Sequence, residues 1–195
     1  MTAEPLPGWA FPPPAGFTAD DLDRIPDLPP HTELIDGSLV FVSPQKSFHT
    51  LAMDLLVYAL RAQVPEDLRV RREMTIVLNK HNRPEPDISI VRAEAVPGTE
   101  HDETSYRASD VVLAVEVVSP ESEARDRERK PSLYADAGIP YFWRVERGAG
   151  GRPVVYAYQF DVVTRSYVSV GIFHDQLKLP APFTIEIDLT EIDRL

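Results

Sequence analysis

The sequence contains no cysteine. Disulfides, thiolate catalysis and zinc–cysteine sites are therefore excluded. Long apolar runs are absent too: the run from Val111 to Val115 is far too short to cross a bilayer, so no membrane association is expected. The first residues, Met1 to Pro5, lack a basic stretch followed by an apolar one, which predicts no secretory signal and a cytoplasmic location. Positive charge is scarce. Net charge is −11, and only Lys46, Lys80, Lys130 and Lys178 are lysines among the 20 basic residues. Such a chain cannot coat nucleic acid by electrostatics alone, although an enzyme could still place a few cations at one cleft. There is no internal repeat.

What remains is an ordinary globular composition, 43% hydrophobic and 26% charged, over 195 residues. That length fits one domain with or without an arm, and it can bury a sizeable core. Eight of the 19 prolines fall in residues 1–31 (Pro5, Pro7, Pro12, Pro13, Pro14, Pro26, Pro29, Pro30), which read as an extended Pro-rich N-terminal arm ahead of a domain over residues 32–195. Within the arm, Thr18 and Asp21 form a capping-box pattern for a short helix. Trp9, Phe11 and Phe17 suggest that the arm docks, on itself or on a neighbouring subunit.

Residues 33–43 read as a hairpin turning at Asp36-Gly37. Ser47 is placed to cap a helix whose apolar positions 48, 51, 52, 55, 56, 59 and 60 form one stripe, ended by Pro65. Strands follow at 70–78 and 87–91, a polar loop at 92–110, and a buried strand at 111–118. A helix then ends at Ala137-Gly138, with Gly138 as its cap. Four more strands are expected at 141–145, 154–160, 167–173 and 183–189. This order predicts an α/β fold, one mixed β-sheet flanked by helices, with extra C-terminal strands.

Glu116 is the most informative residue. It is the single carboxylate among the eight residues 111–118, the rest of which are apolar. Runs of this kind are buried on both faces of a sheet. A carboxylate there must be paired, protonated or bound to a cation. Asp87, which opens a strand directly after Pro86, poses the same question more weakly. Each acid alone is equally well read as structural: Glu116 could pair with one of sixteen arginines, and Asp87 could serve the turn. Together, on neighbouring strands, they could converge on one hard cation such as Mg²⁺. A phosphodiester-cleaving site also needs a cation of its own. Lys130 lies on the segment after the Glu116 strand, but its spacing alone favours a solvated helix position within Arg125-Asp126-Arg127-Glu128-Arg129-Lys130.

Pro86-Asp87 followed by Glu116-Val117-Val118 resembles the PD-(D/E)xK nuclease motif. Several blocks more specifically resemble the Uma family of bacterial restriction-endonuclease-like proteins: Glu33 to Gly37, Ser43-Pro44 to His49, Pro86-Asp87-Ile88, Glu116 to Pro120, and Lys130…Tyr134…Gly138 to Trp143. Block order carries the likeness over about residues 17 to 147, which is far more specific than the short motif alone. The resemblance implies a restriction-endonuclease-like fold and Mg²⁺- or Mn²⁺-dependent endonuclease activity on nucleic acid, with DNA as the expected substrate. It implies that Asp87, Glu116 and the main-chain carbonyl of Val117 hold the metal. It also implies that Lys130 replaces the motif lysine, whose usual position is Val118 here, and that Glu33 supports the metal from outside. His49 matches a helix-start histidine of the family and is as well read as structural.

Pro131 directly after Lys130 places the helix start near 127–130, which leaves the lysine's direction open. Arg125, Arg127 and Arg129 are candidate substrate contacts, with Arg72 and its strand neighbours Arg69 and Arg71 as weaker ones. The cluster near Lys130 could equally be a solvated face, and the Arg69–Arg72 cluster is better read as one. Two other functions stay open. One is a catalytically inactive nuclease-fold binding or regulatory module, favoured by the charge and the displaced lysine. The other is hydrolysis of a small phosphoester, which would require a closed cleft. Aromatic residues in the arm and the last third leave a homodimer open.

Overall fold

The computed structural model describes residue 9 and residues 11–42, 44–96 and 102–195. Pro5, Pro7 and Ser43 lie outside the described residues. The chain begins with a short helix α1 (Asp21–Arg24), where the Asp21 carboxylate accepts hydrogen bonds from Thr18 N at 2.7 Å and Thr18 Oγ1 at 2.8 Å. Strands β1 (Glu33–Ile35) and β2 (Ser38–Val40) form the expected hairpin. Asp36 and Gly37 both take positive φ, 51° and 75°, the geometry that a two-residue turn between twisted strands requires. Arg83, 2% exposed, locks the preceding segment to this region: its guanidinium donates to the Ala19 carbonyl and to both oxygens of Asp23.

Helix α2 (Ser47–Gln63) buries the stripe read from the sequence, with Ala52, Leu56 and Leu60 fully enclosed. Its cap residue is Lys46, not Ser47, and no side chain of the cap closes the first turn. The segment expected as one strand over 70–78 is two. β3 (Leu68–Arg72) ends at Glu73, whose φ of 49° turns the chain, and β4 (Thr75–Val77) leaves to pair in parallel with β6 (Ser105–Arg107), inside the region read as loop. Between them runs β5 (Ile88–Arg92).

β7 (Val111–Val117) leads through a helical segment to β8 (Tyr141–Arg147). β9 (Pro153–Asp161) and β10 (Ser166–Phe173) follow, then a hairpin of β11 (Gln176–Leu179) and β12 (Ile185–Asp188); β11 has no counterpart in the sequence reading. The main sheet is six-stranded, in the order β10-β9-β8-β7-β5-β3, and β7 with β8 is its one parallel pair. A parallel pair needs a crossover, and here the crossover is the helix that carries Lys130.

Apolar layers cover both faces of the sheet. On one face α2 and the β11–β12 hairpin pack against Leu113, Val115, Val117, Trp143 and Val145. On the other, Tyr134 and Ile139 pack against Ala114 and Phe142. Side chains alternate along a strand, so Glu116 points to the face of Ala114, under the crossover helix. No helix among the described residues is long and apolar enough to cross a membrane.

The crossover helix is continuous from residue 123, earlier than the start at 127–130 expected from Pro131. It contains a wide π turn, Arg125–Arg129, and then α3 (Lys130–Asp136). Proline inside a helix has no N–H to donate, and its ring collides with the carbonyl four residues back. Widening the turn just before Pro131 relieves that collision.

Trp143 is 1% exposed at the centre of the larger layer. Trp143→Ala is expected to destabilise the fold by about 3–5 kcal/mol, measured as a shift in the urea unfolding midpoint.

Candidate active site

Register explains how the two strand-borne acids meet. In the antiparallel β5–β7 pair Ile88 sits opposite Val115, so Asp87, one residue before β5, falls opposite Glu116. Both line one cleft of about 540 Å³ together with Val117, Glu33, His49, Asp126 and Lys130.

Glu116 is 2% exposed. Its Oε2 accepts from Lys130 Nζ at 2.9 Å, and its Oε1 from the Tyr134 hydroxyl at 2.6 Å. Lys130 and Tyr134 are one turn apart on α3, so a single helix face grips both oxygens of the carboxylate. The lysine therefore points to the strand, not away from it. Its ammonium also lies 2.8 Å from Glu33 Oε1 and 3.4 Å from Asp126 Oδ1. Glu33 Oε1 accepts as well from the Glu85 backbone N–H at 2.8 Å, which fixes the end of β1 against the segment leading to Asp87. Asp87 Oδ2 accepts from the Val117 N–H at 2.6 Å, and Oδ1 faces His49 Nε2 at 2.9 Å.

Negative charge exceeds positive charge here. Glu33, Asp87, Glu116 and Asp126 face one ammonium and one imidazole. Burial pushes the Glu116 carboxyl well up; Lys130 opposes this, and Asp126, Asp87 and Glu33 add to it. For Lys130 burial acts to lower the pKa, but attraction to Glu116, Glu33 and Asp126 outweighs burial and raises it well above the usual value. The surplus negative charge raises both values, on top of burial for Glu116 and against it for Lys130, and this common part would relax if a further cation entered.

Asp126 was not singled out in the sequence. It is 2% exposed, Ser122 Oγ donates to its Oδ2, and its Oδ1 accepts no hydrogen bond. The spacing Asp126–Lys130–Tyr134, four residues at each step, was the available signal. It was hidden in a run that reads as a solvated charged face.

The arginines divide differently from the sequence reading. Arg125 lines the cleft. Arg127 pairs with Glu123 and Glu146, Arg129 with Asp36, and Arg72 with Asp54, so these three are occupied in ion pairs. Arg71 donates to the Tyr106 hydroxyl and Arg69 to the Glu66 carbonyl.

Two carboxylates on adjacent strands suit a hard divalent ion that keeps most of its water. Among the described residues no group of three or more His, Asp or Glu side chains is arranged to hold a metal ion by itself. The negative surplus and the Asp126 Oδ1, which accepts no hydrogen bond, fit an open site of that kind, where water and substrate complete the coordination.

A mixed sheet that delivers two strand-borne carboxylates and a helix-borne lysine to one cleft puts the chain in the class of nuclease-fold proteins. A family model, Uma2, described as "Putative restriction endonuclease", matches residues 19–190, and the chain belongs to that family. A solved structure described as a "putative nuclease" of the DUF820 family from Anabaena variabilis is similar in fold. Its TM-score is 0.70 at 17% identity, over 90% of this chain and 97% of that one. No curated protein matches the chain.

Burial disfavours a charged His49, but the hydrogen bond and charge of Asp87 outweigh it and raise the pKa. The pair's stabilisation is complete below the ordinary histidine value of about 6.5 and is lost as pH rises through the higher folded value. Asp87→Asn removes the main opposition to burial and leaves only the weaker attraction of Asp126 and Glu73, so His49 should titrate lower than in wild type, and the extra stability of wild type at pH 6 relative to pH 8 should shrink. Imidazole NMR titration with urea unfolding at both pH values reads this out; a His49 titration unmoved by the substitution would break the assignment.

Proposed function

We propose that the chain is a metal-dependent endonuclease that hydrolyses phosphodiester bonds of DNA in the cleft between β5, β7 and the crossover helix. The observation that carries this reading is the meeting of Asp87, Glu116, Glu33 and Lys130 in one desolvated, over-acidic pocket. Asp87 and Glu116, with the Val117 carbonyl, would hold Mg²⁺ or Mn²⁺. The metal, when bound, would polarise a phosphoryl oxygen and make a water more acidic.

The chain's own residues would do the rest. Lys130 holds a positive charge where negative charge develops on the phosphate. Tyr134 and Lys130 fix the orientation of Glu116, and His49 with the Val117 N–H fixes that of Asp87. Glu33 anchors Lys130 so that its ammonium stays on the cleft side. Arg125 would contact the substrate at the cleft wall. The substrate would place the protein in the cytoplasm. A homodimer belongs to the same reading, and the edge strand β10, with Val168, Val170 and Ile172 exposed, is the surface that supports it.

One observation favours the inactive-module reading: the Lys130 ammonium is already surrounded by three carboxylates. Calorimetry with Mg²⁺ and Mn²⁺, together with nicking of supercoiled and single-stranded DNA, separates the readings. Metal binding should be lost in Asp87→Ala and Glu116→Ala, and cleavage should fall by about 100-fold or more. Binding without cleavage of any nucleic acid would favour the inactive module, and Glu116→Ala cutting at the wild-type rate would end the proposed assignment.

A further inference from the structure

The acidic cleft does not end at Asp87. His49 and Ser119 line both it and an adjoining groove of about 610 Å³. The N-terminus of α2 opens on this groove through Lys46, Ser47 and Phe48. The first amides of a helix have no acceptor within it and carry the positive end of its dipole. Here the cap residue Lys46 is extended, with ψ of 155°, and its side chain closes none of them.

The charges around that turn are unequal in a way the net charge of −11 conceals. The acids lining the groove are all held in ion pairs: Glu123 with Arg127, Glu146 with Arg127 and Arg144, and Asp193 with Arg152. Arg147 has no ion-pair partner among the described residues. Its guanidinium carbon lies 5.9 Å from the centre of the Phe48 ring, directly beside the first turn. Lys46 makes one exposed contact, 3.5 Å from Glu121. Gly150 and Gly151, at φ of 85° and 89°, put bare backbone at the groove mouth.

A second observation is independent of the helix end. His49, in the third position of α2, is 4% exposed; Asp87 takes its Nε2, and its Nδ1 has no hydrogen-bond partner. A buried ring nitrogen left unpaired beside a groove marks a place where a polar ligand is missing.

We propose that the first turn of α2, with Ser47, Lys46 and Arg147, is an anion subsite that takes a backbone phosphate of the substrate strand, next to the phosphate that the cleft would cut. A phosphodiester carries one negative charge over two oxygens, which matches main-chain N–H donors and one guanidinium. The shared wall of His49 and Ser119 sets cleft and groove side by side, an arrangement that suits a strand better than a small phosphoester. The inference rests on the nuclease reading for the identity of its ligand, but not for the existence of the subsite.

The test follows the backbone amide signals of Ser47 and Phe48 by NMR in the full chain, without divalent metal, during titration with a thymidine dinucleotide and separately with inorganic phosphate. The dinucleotide should shift both amides, and Arg147→Gln, an exposed position, should abolish the shifts while calorimetric Mn²⁺ binding stays unchanged. With a longer oligonucleotide, Arg147→Gln should weaken binding about tenfold and reduce the salt dependence of affinity by about one phosphate contact. No shift with the dinucleotide overturns the subsite, and a shift with inorganic phosphate alone reduces it to an adventitious ion only. Dinucleotide binding at these amides in a protein whose Asp87 and Glu116 bind no metal would leave the subsite standing and bring down the nuclease reading instead.

Discussion

A carboxylate placed in the middle of an apolar strand is the constraint around which the rest is arranged. Glu116 lies under the crossover helix, and an unpaired charge there would cost several kcal/mol. The chain meets this by delivering Lys130 and Tyr134 from one helical face, one to each oxygen. That helix can reach the spot because β7 and β8 are parallel neighbours, a pairing that demands a crossover on one face of the sheet. The π turn before Pro131 sets the rotation at which Lys130 enters the cleft. Arg129, on the outer side of the same segment, pairs with Asp36 and pins the β1–β2 hairpin alongside, which brings Glu33 into reach of the same lysine. The fold and the charge cluster therefore support each other.

The cluster is not balanced, and the imbalance has consequences for both stability and function. One ammonium shared by three carboxylates leaves negative charge in a place with little water to screen it. Carboxylates held close together raise each other's affinity for protons and for cations alike. Folding around such a site costs stability, which two full apolar layers offset elsewhere. A structure concerned with stability alone would replace the buried ions by apolar side chains of similar volume. Retaining four acids at the mouth of a cleft is therefore an argument for chemistry at that place.

The sequence revealed the parts of this arrangement that conflict with their surroundings. Glu116 stood out because its strand is otherwise apolar, and Asp87 because proline fixes the entry to its strand. Six main strands and the long helix were legible from periodicity. Glu33 drew attention only through resemblance to a family, and Lys130, raised by its place after the Glu116 strand, read as solvated until that resemblance was weighed, since neither conflicts with its local context. Asp126 and Tyr134 carried a four-residue spacing with Lys130, yet the surrounding charges made that stretch look solvated. The 70–78 segment was misread because no proline or glycine interrupts it, while a single positive φ at Glu73 sends its two halves to different sheets. The arginines were unreadable for a different reason: composition counts charges, but only the fold decides which acid each one meets.

That last point bears on how an acidic protein could handle a polyanion. Three of the six arginines read as candidate contacts, Arg72, Arg127 and Arg129, are held in ion pairs with the chain's own acids, so they offer little general attraction to phosphate. Two arginines without an ion pair among the described residues stand at the cleft and its extension: Arg125 at the cleft wall, and Arg147 beside the α2 terminus. A net charge of −11 lowers non-specific binding, which is mostly counterion release driven by diffuse positive charge. Binding must then come from a few contacts in fixed positions, and fixed positions select geometry. An acidic exterior and a short track of cations are thus one design, in which weak affinity for nucleic acid in general accompanies discrimination for the strand that can follow the track.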